Sequence, residues 1–318
     1  MMNKKFLIIS GLMVAGLALF FMRQDDMSKD PIVTPQQSKV TTDAKTETSH
    51  DASPKNVSGK NSSDPSHMLA QTTANQTIDV KSLPEFKVGV TAGPHATIME
   101  FVKQQAAAQG LNIKIVEFND FILANAALDH GDVMANSYQH KIFLDDQCKT
   151  RGYHLTAIAR SIVLPLGVYA FSLKNIKDLK VGATVLIPND PTNGARSLLL
   201  LQKLGLIRLK ETSFPSIIDI DDNPKKLVIK ELDAPMLPRA MIDADLAVIN
   251  TDWIFVAGLD PSNALAKEES DSPYANVIVV RSGTENEPNV KKFVEIFQST
   301  PVKKFIETEF KGAVIPAF

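Results

Sequence analysis

Cysteine is almost absent from this chain. Cys148 is the only one in 318 residues, which excludes an intrachain disulfide and any metal site built from several thiolates. Its neighbours, Asp145, Asp146, Gln147 and Lys149, are polar, so it reads as incidental. An excess of one charge is also lacking. The 34 Lys and Arg face 36 Asp and Glu, a net charge of -2, and a chain without a basic surplus does not have nucleic acid as its main partner. No Gly-x-Ser-x-Gly elbow, Gly-x-x-x-x-Gly-Lys loop or three-glycine fingerprint occurs, so nucleophilic hydrolysis, phosphate cradling and dinucleotide binding have no motif behind them. His140 has no His or Glu at helical metal spacing, and neither a metal nor a cofactor is expected. The aspartates at 219, 221, 222, 243 and 245 are spaced as in solvated turns rather than as an acid–base pair.

Long hydrophobic runs are scarce too, and the exception is terminal. Lys4 and Lys5 precede an uncharged, largely apolar run over 6–22, which Arg23 closes. A basic flank followed by such a run is a targeting segment, and about 17 residues is the lower limit for spanning a bilayer. No clear small-residue cleavage site follows, and no cysteine stands near its end to carry a lipid. Residues 1–23 are therefore expected to be an uncleaved signal anchor or transmembrane segment in the inner membrane. Lys4 and Lys5 then stay cytoplasmic and the remainder is exported to the periplasmic side, with cleavage to a soluble form as the alternative. Residues 24–83 are rich in Ser, Thr, Asp, Asn, Gln and Lys and poor in aromatic and branched apolar residues. Such a stretch does not bury enough surface to offset its ordering entropy, and it reads as a disordered tether.

From about residue 86 the pattern is that of an α/β protein. Strands are expected at 87–90, 112–118 and 133–135, and helices at 94–109, 119–128 and 138–150. A second set has strands at 183–187, 227–232, 246–249 and 276–280, helices at 194–204 and 235–243, and two C-terminal helices after Pro288 and Pro301. Alternation of this kind with short turns predicts parallel α/β layers. Residues 129–136 (Asp-His-Gly-Asp-Val-Met-Ala-Asn) echo 243–250 (Asp-Ala-Asp-Leu-Ala-Val-Ile-Asn). In a chain of two similar lobes both Asn136 and Asn250 would end strands, the edge where open parallel sheets bind ligands.

One turn carries more chemistry than the rest. A strand over 181–187 runs into Pro188-Asn189-Asp190-Pro191-Thr192-Asn193-Gly194-Ala195-Arg196 and then Ser197 and four leucines. A strand, a polar turn and an apolar helix place free backbone N–H groups at one spot. Arg196, placed in the first helical turn, adds a planar fork that fits a carboxylate. The competing reading is an Arg held by a neighbouring acidic side chain. Similarly, Tyr138 and Phe143 are either walls of an apolar pocket with His140 as its polar tip, or core aromatics of an ordinary amphipathic helix.

These stretches, taken together, resemble the methionine-binding lipoproteins of ABC importers, the MetQ/NlpA family. The matching residues are Val88-Gly89-Val90 with Gly93-Pro94-His95, Phe118-Asn119-Asp120-Phe121, Gly131-Asp132 with Ala135-Asn136, and Gln139-His140-Lys141. They continue with the 188–193 turn and Arg196 to Gln202, Ala247 to Thr251, and Ser272 to Asn276, over roughly 86–318. The resemblance implies a two-lobed periplasmic-binding-protein fold with two hinge crossovers, placed near 166–171 and 274–280. Lobe 1 would comprise 84–168 plus 278–318, and lobe 2 would comprise 169–277. It also implies that Arg196 holds the ligand carboxylate, that Asn250 and Asn276 fix the carboxylate and amino groups, and that Phe121, Tyr138, His140 and Phe143 surround the side chain. Methionine, L with D left open, would be the ligand, and an ABC permease with its ATPase subunit the partner. The departures are Phe121 and Phe143 where Tyr is common, Tyr138 where Phe is common, Ala195 where Gly usually precedes the Arg, and the missing lipid-bearing cysteine. The other readings are a membrane-tethered sensor or surface interaction protein for another small amino acid or peptide, and an enzyme on the same scaffold.

Overall fold

Alternating apolar residues and short apolar helices build two open sheets, each covered on both faces. The computed structural model describes residues 79–269 and 273–318. The expected anchor and nearly all of the expected tether lie outside these residues. Among the described residues no helix is long and apolar enough to cross a membrane.

The first lobe starts with β1 (Glu85–Thr91), α1 (Pro94–Ala107), β2 (Asn112–Phe118), α2 (Leu123–His130), β3 (Ala135–His140), α3 (Lys141–Arg151) and β4 (Leu155–Arg160). Pro94 occupies the first position of α1, where its missing N–H costs nothing. Ile98, Met99, Val102 and Ala106 form one buried stripe of α1 at helical spacing. They pack on Phe86, Val88 and Val90 of β1 and on Phe293 and Phe297 from the C-terminal helices. Each such aliphatic burial contributes about 1.5–3 kcal/mol.

The chain then passes through β5 (Ile162–Val163) into the second lobe. This holds β6 (Gly167–Tyr169), β7 (Thr184–Pro188), α4 (Pro191–Lys203), β8 (Arg208–Leu209), β9 (Ile220–Asp222), β10 (Val228–Leu232), α5 (Leu237–Ala240), β11 (Leu246–Ile249), α6 (Thr251–Val256) and β12 (Ala266–Lys267). It returns to the first lobe as β13 (Asn276–Arg281), α7 (Pro288–Phe297), α8 (Thr300–Phe310) and β14 (Ile315–Pro316). Leu198 and Leu201 of α4 are fully buried against Val185, Ile187 and Val248.

The sheet orders are β2-β1-β3-β13-β4 and β10-β7-β11-β6-β12. Each has a parallel half and an antiparallel half: β13 runs against β3 and β4, and β6 against β11 and β12. The expected parallel layers make up one half of each sheet. A strand arriving from the other lobe enters the sheet from the cleft end, so it must run opposite to strands that end there.

Two crossovers join the lobes: one spans 161–166, and the other follows β12 and ends at Asn276, with 270–272 outside the described residues. Gly167–Tyr169 already belongs to the second sheet, and Asn276–Arg281 to the first. The crossovers are bonded to each other at both ends. Ser161 N donates to Asn276 O at 2.8 Å, and Leu166 N donates to the Glu268 carboxylate at 2.9 Å while Glu268 N donates to Leu166 O at 3.0 Å. β14 pairs with β5 and so straps the chain terminus onto the first crossover.

Three local expectations change. The helix expected from 138 starts at Lys141, so Tyr138 and His140 end a strand. Every residue of β3 is buried although Asn136, Ser137, Gln139 and His140 are polar. Asn136 and Gln139 are satisfied with Asn125: Asn125 Nδ2 donates to Gln139 Oε1 at 2.7 Å, and Asn136 Nδ2 to Asn125 Oδ1 at 2.9 Å, whereas Ser137 Oγ and His140 Nε2 are buried without a partner among the described residues. Asn136 thus lies inside this network at the second position of its strand, not at a strand end. Asn250 does stand just past the end of β11, as the N-cap of α6.

Candidate functional site

α4 begins at Pro191, and Asp190 caps it. The Asp190 carboxylate accepts from Asn193 N at 2.9 Å, from Asn193 Nδ2 and from Thr192 Oγ1. The helix N-terminus therefore carries its own anion. This corrects the expectation of free N–H groups there, and it places Arg196 in the second turn rather than the first. Gly194 lies where the helix meets its own strand, since a Cβ would come within 3.1 Å of Pro188 O. Keeping Asn193 and Arg196 at this depth depends on that close approach.

Arg196 is buried at 4% exposure. Its Nε donates to Glu268 Oε1 at 2.7 Å, and Nη2 donates to Glu268 Oε2 and, at 3.0 Å, to Leu164 O. The guanidinium also lies 4.4 Å from the centre of the Tyr274 ring. The competing reading of the sequence, an internal acidic partner, is thus present, but the partner is Glu268, 72 residues away. The fork uses Nε and Nη2, and Nη1 makes no hydrogen bond to the described residues. Through Leu164 O and Glu268 one side chain is tied to both crossovers.

Beside Arg196 is a pocket enclosing about 330 Å³ of empty space, part of it open to solvent. Phe121, Tyr138, His140, Phe143, Arg196, Asn250 and Asn276 all line it. All seven residues singled out from the sequence therefore meet in one place. Gln139, Leu164, Asn193 and Asp252 line it as well. Nothing in the spacing pointed to Asp252 or Gln139, and Asn193 was visible only as part of the turn motif.

One side of the cavity is aromatic. The Phe121 ring is 6.2 Å from Tyr138, 6.3 Å from Phe143 and 5.2 Å from Trp253. Phe121, Tyr138 and Phe143 come from lobe 1 and Trp253 from α6 of lobe 2, so this cluster spans the cleft. The Tyr138 hydroxyl donates to Phe121 O at 3.0 Å. Burial, with Asp120 next, holds its pKa well above the usual phenol value. The hydroxyl gained relative to the common Phe is thus used up in the wall, and the ring is what remains for a ligand.

The polar side is oriented by hydrogen bonds behind it. Asn250 Nδ2 donates to Asn193 Oδ1 at 3.0 Å, and Asn250 Oδ1 is buried without a partner among the described residues. Asn276 Nδ2 donates to Tyr138 O at 3.1 Å and stands 3.0 Å from His95 Nε2. His140 Nδ1 accepts from Phe143 N at 3.0 Å and caps α3. Its proton is therefore on Nε2, which is buried and unpartnered. Burial, then the charge of Arg196, lowers the His140 pKa to about 3, with the Asn193 side chain acting the other way. Its imidazole is neutral at physiological pH. Burial also raises Asp252 to about 7, against its own backbone N–H and Arg196, which lower it.

The cavity thus pairs an apolar, aromatic chamber with donors (Arg196 Nη1, His140 Nε2–H) and acceptors (Asn250 Oδ1, Asp252 Oδ1). Such a set suits a small zwitterion with an apolar side chain.

The chain matches the family described as NlpA lipoprotein over residues 86–318. It is 44% identical over 243 residues to the D-methionine-binding lipoprotein MetQ of Escherichia coli O157:H7, covering 74% of this chain and 90% of that protein. Among solved structures, a nutrient binding protein from Burkholderia cenocepacia bound to methionine is 46% identical, with a TM-score of 0.72, covering 73% of this chain and 100% of that one. An ABC transporter periplasmic substrate-binding protein from Coxiella burnetii is 43% identical, with a TM-score of 0.71, at 73% and 99% coverage.

Proposed function

Since the chain belongs to the NlpA lipoprotein family, we propose that it is the methionine-binding subunit of an ABC importer. It captures the amino acid between its lobes on the outer side of the inner membrane and delivers it, unchanged, to a permease driven by a cytoplasmic ATPase. The observation that carries this reading is the cavity's composition. A buried guanidinium with one nitrogen to spare faces unpartnered polar atoms, and a three-ring aromatic wall adjoins them.

In this reading Arg196 Nη1 and His140 Nε2–H hold the carboxylate, and Asn250 and Asn276 orient the α-carbon groups. Phe121, Tyr138 and Phe143 take the thioether, whose sulfur gains about 0.3–1.5 kcal/mol from each well-placed ring. Burial of the side chain adds about 1.5–3 kcal/mol. Because Arg196 also binds Leu164 O and Glu268, a ligand on its free nitrogen bears directly on both crossovers. Closure and carboxylate capture are thereby coupled, as delivery to a permease requires. The N-terminal segment at 1–23 keeps the exported domain at the membrane, and the tether raises its concentration near the permease.

Uptake of labelled methionine by cells with and without this gene tests the proposal. Loss of high-affinity uptake, restored by the wild-type gene and not by Arg196→Ala, is the expected result. Unchanged uptake by a strain lacking every other methionine carrier would favour the tethered sensor.

A further inference from the structure

We propose that Asp252 is the acceptor for the α-ammonium group of the bound amino acid and sets this site's demand for a protonated amine; this rests on the amino-acid reading above. Asp252 lies in the first turn of α6, is 4% exposed and lines the cavity with Arg196, Asn250 and Asn276. Its Oδ1 is buried and has no hydrogen-bond partner among the described residues. A carboxylate oxygen in that position is costly to leave empty.

Among the described residues no cation fills the role. His95, in the first turn of α1 across the cleft, brings Nε2 to 3.5 Å from Oδ1, beyond hydrogen-bond reach. Burial lowers the His95 pKa to about 3, so this imidazole is neutral and is no counter-ion. Arg196 is forked onto Glu268. The remaining titratable groups around the cavity, His140 and Tyr138 of β3, are also uncharged at neutral pH. An ammonium group has three N–H donors, and Asp252 Oδ1 with Asn250 Oδ1 offers it two empty acceptors. Gly93 brings α1 onto this spot from the other lobe. With φ of +85° and a would-be Cβ only 3.2 Å from Asp252 O, no larger residue fits there without strain. Closure therefore seals Asp252 from water and strengthens its pull on a cation.

A positive ligand group beside a carboxyl that burial raises to about 7 favours the ionised form, so binding near or below pH 7 releases a proton. Calorimetric titration of the purified, ligand-stripped protein with L-methionine and with its desamino analogue, 4-(methylthio)butanoate, reads both effects. The wild type is expected to prefer methionine by about 100-fold or more, and Asp252→Asn to lose about 10- to 100-fold for methionine while leaving the analogue nearly unchanged. Equal loss for both compounds, or loss for neither, overturns the assignment. Should Asp252→Asn not fold, the wild type decides. At pH 6.5, heats in two buffers of different ionisation enthalpy should show proton release with methionine and not with the analogue, and no release overturns the proposal. A wild type that binds neither compound but binds another amino acid sinks the methionine reading alone, and the same pair of tests with that amino acid and its desamino form then decides Asp252. Binding of no amino acid sinks both.

Discussion

Truncating Arg196 should damage stability and binding by separate routes, and the two can be measured apart. Arg196→Ala leaves Glu268, whose side chain is 12% exposed, facing an emptied site. Stranding one member of a buried ion pair costs about 3–5 kcal/mol. At about 2–4 °C of melting temperature per kcal/mol for a domain of this size, the ligand-free protein should melt roughly 10 °C lower. In Arg196→Ala/Glu268→Ala the stranded carboxylate is gone, and most of that loss should return. Binding should not return, because the donor for the ligand carboxylate is absent in both variants. Losing a charge-assisted contact worth about 1.5–3 kcal/mol lowers affinity roughly 10- to 150-fold. Scanning calorimetry without ligand gives the first quantity, and titration with L-methionine gives the second. A double variant that binds as tightly as the wild type would refute Arg196 as the carboxylate anchor. An Arg196→Ala protein as stable as the wild type would refute the burial of the pair.

Other consequences follow from the same geometry. Trp253 is the only tryptophan, is buried, and packs across the cleft on Phe121, so ligand-driven closure should shift its emission to shorter wavelength; an unchanged spectrum on saturation would contradict closure over the aromatic wall. Leu198→Ala empties a fully buried position in the second lobe and should cost about 2–5 kcal/mol in urea unfolding, with little change in the first lobe's own contacts. His95 and His140 have folded pKa values of about 3, below their unfolded value, so the unfolded chain binds more protons and stability falls as pH drops from about 6.5 toward 4. Asp252, raised to about 7, holds a proton in the folded chain over that window and opposes the fall. Urea unfolding of Asp252→Asn at pH 5 and 6.5 should therefore show a steeper loss than the wild type, by about 1.4 kcal/mol per pH unit.

The parts of this protein that announce themselves in sequence are those stabilised locally. The 188–196 turn, the apolar stripe of α4 and the strand at 112–118 are fixed by residues within a few positions of one another, and they are legible. β3 is the opposite case. Ala-Asn-Ser-Tyr-Gln-His has no apolar alternation, and it becomes a central strand only because Asn125, Asn136 and Gln139 satisfy each other when brought together. α4 starts three residues ahead of its expected place at 194 for a related reason: Asp190 and Pro191 look like turn residues in sequence, yet they are the helix's cap and its first position.

The candidate site divides along the same line. Arg196 and Asn250 stand next to strand ends and helix starts, where position along the chain points toward a cleft; Tyr138, His140 and Phe143 read as a pocket wall or as core, and the family resemblance adds Phe121 and Asn276. Glu268 and Asp252 carry no such mark. The first lies 72 residues from its partner, and the second sits in a six-residue helix that no periodicity reveals. Glu268 matters through a buried ion pair and Asp252 through a buried, unpaired oxygen, and only the folded chain brings either into view.

The most direct test of the central claim is calorimetric titration of the protein, unfolded and refolded to strip carried-over ligand, with L-methionine at pH 7.5. Saturable binding at one site per chain, weakened about 10- to 150-fold in the Arg196→Ala/Glu268→Ala variant, is the predicted result. No heat of binding from a refolded protein that still melts cooperatively would contradict it.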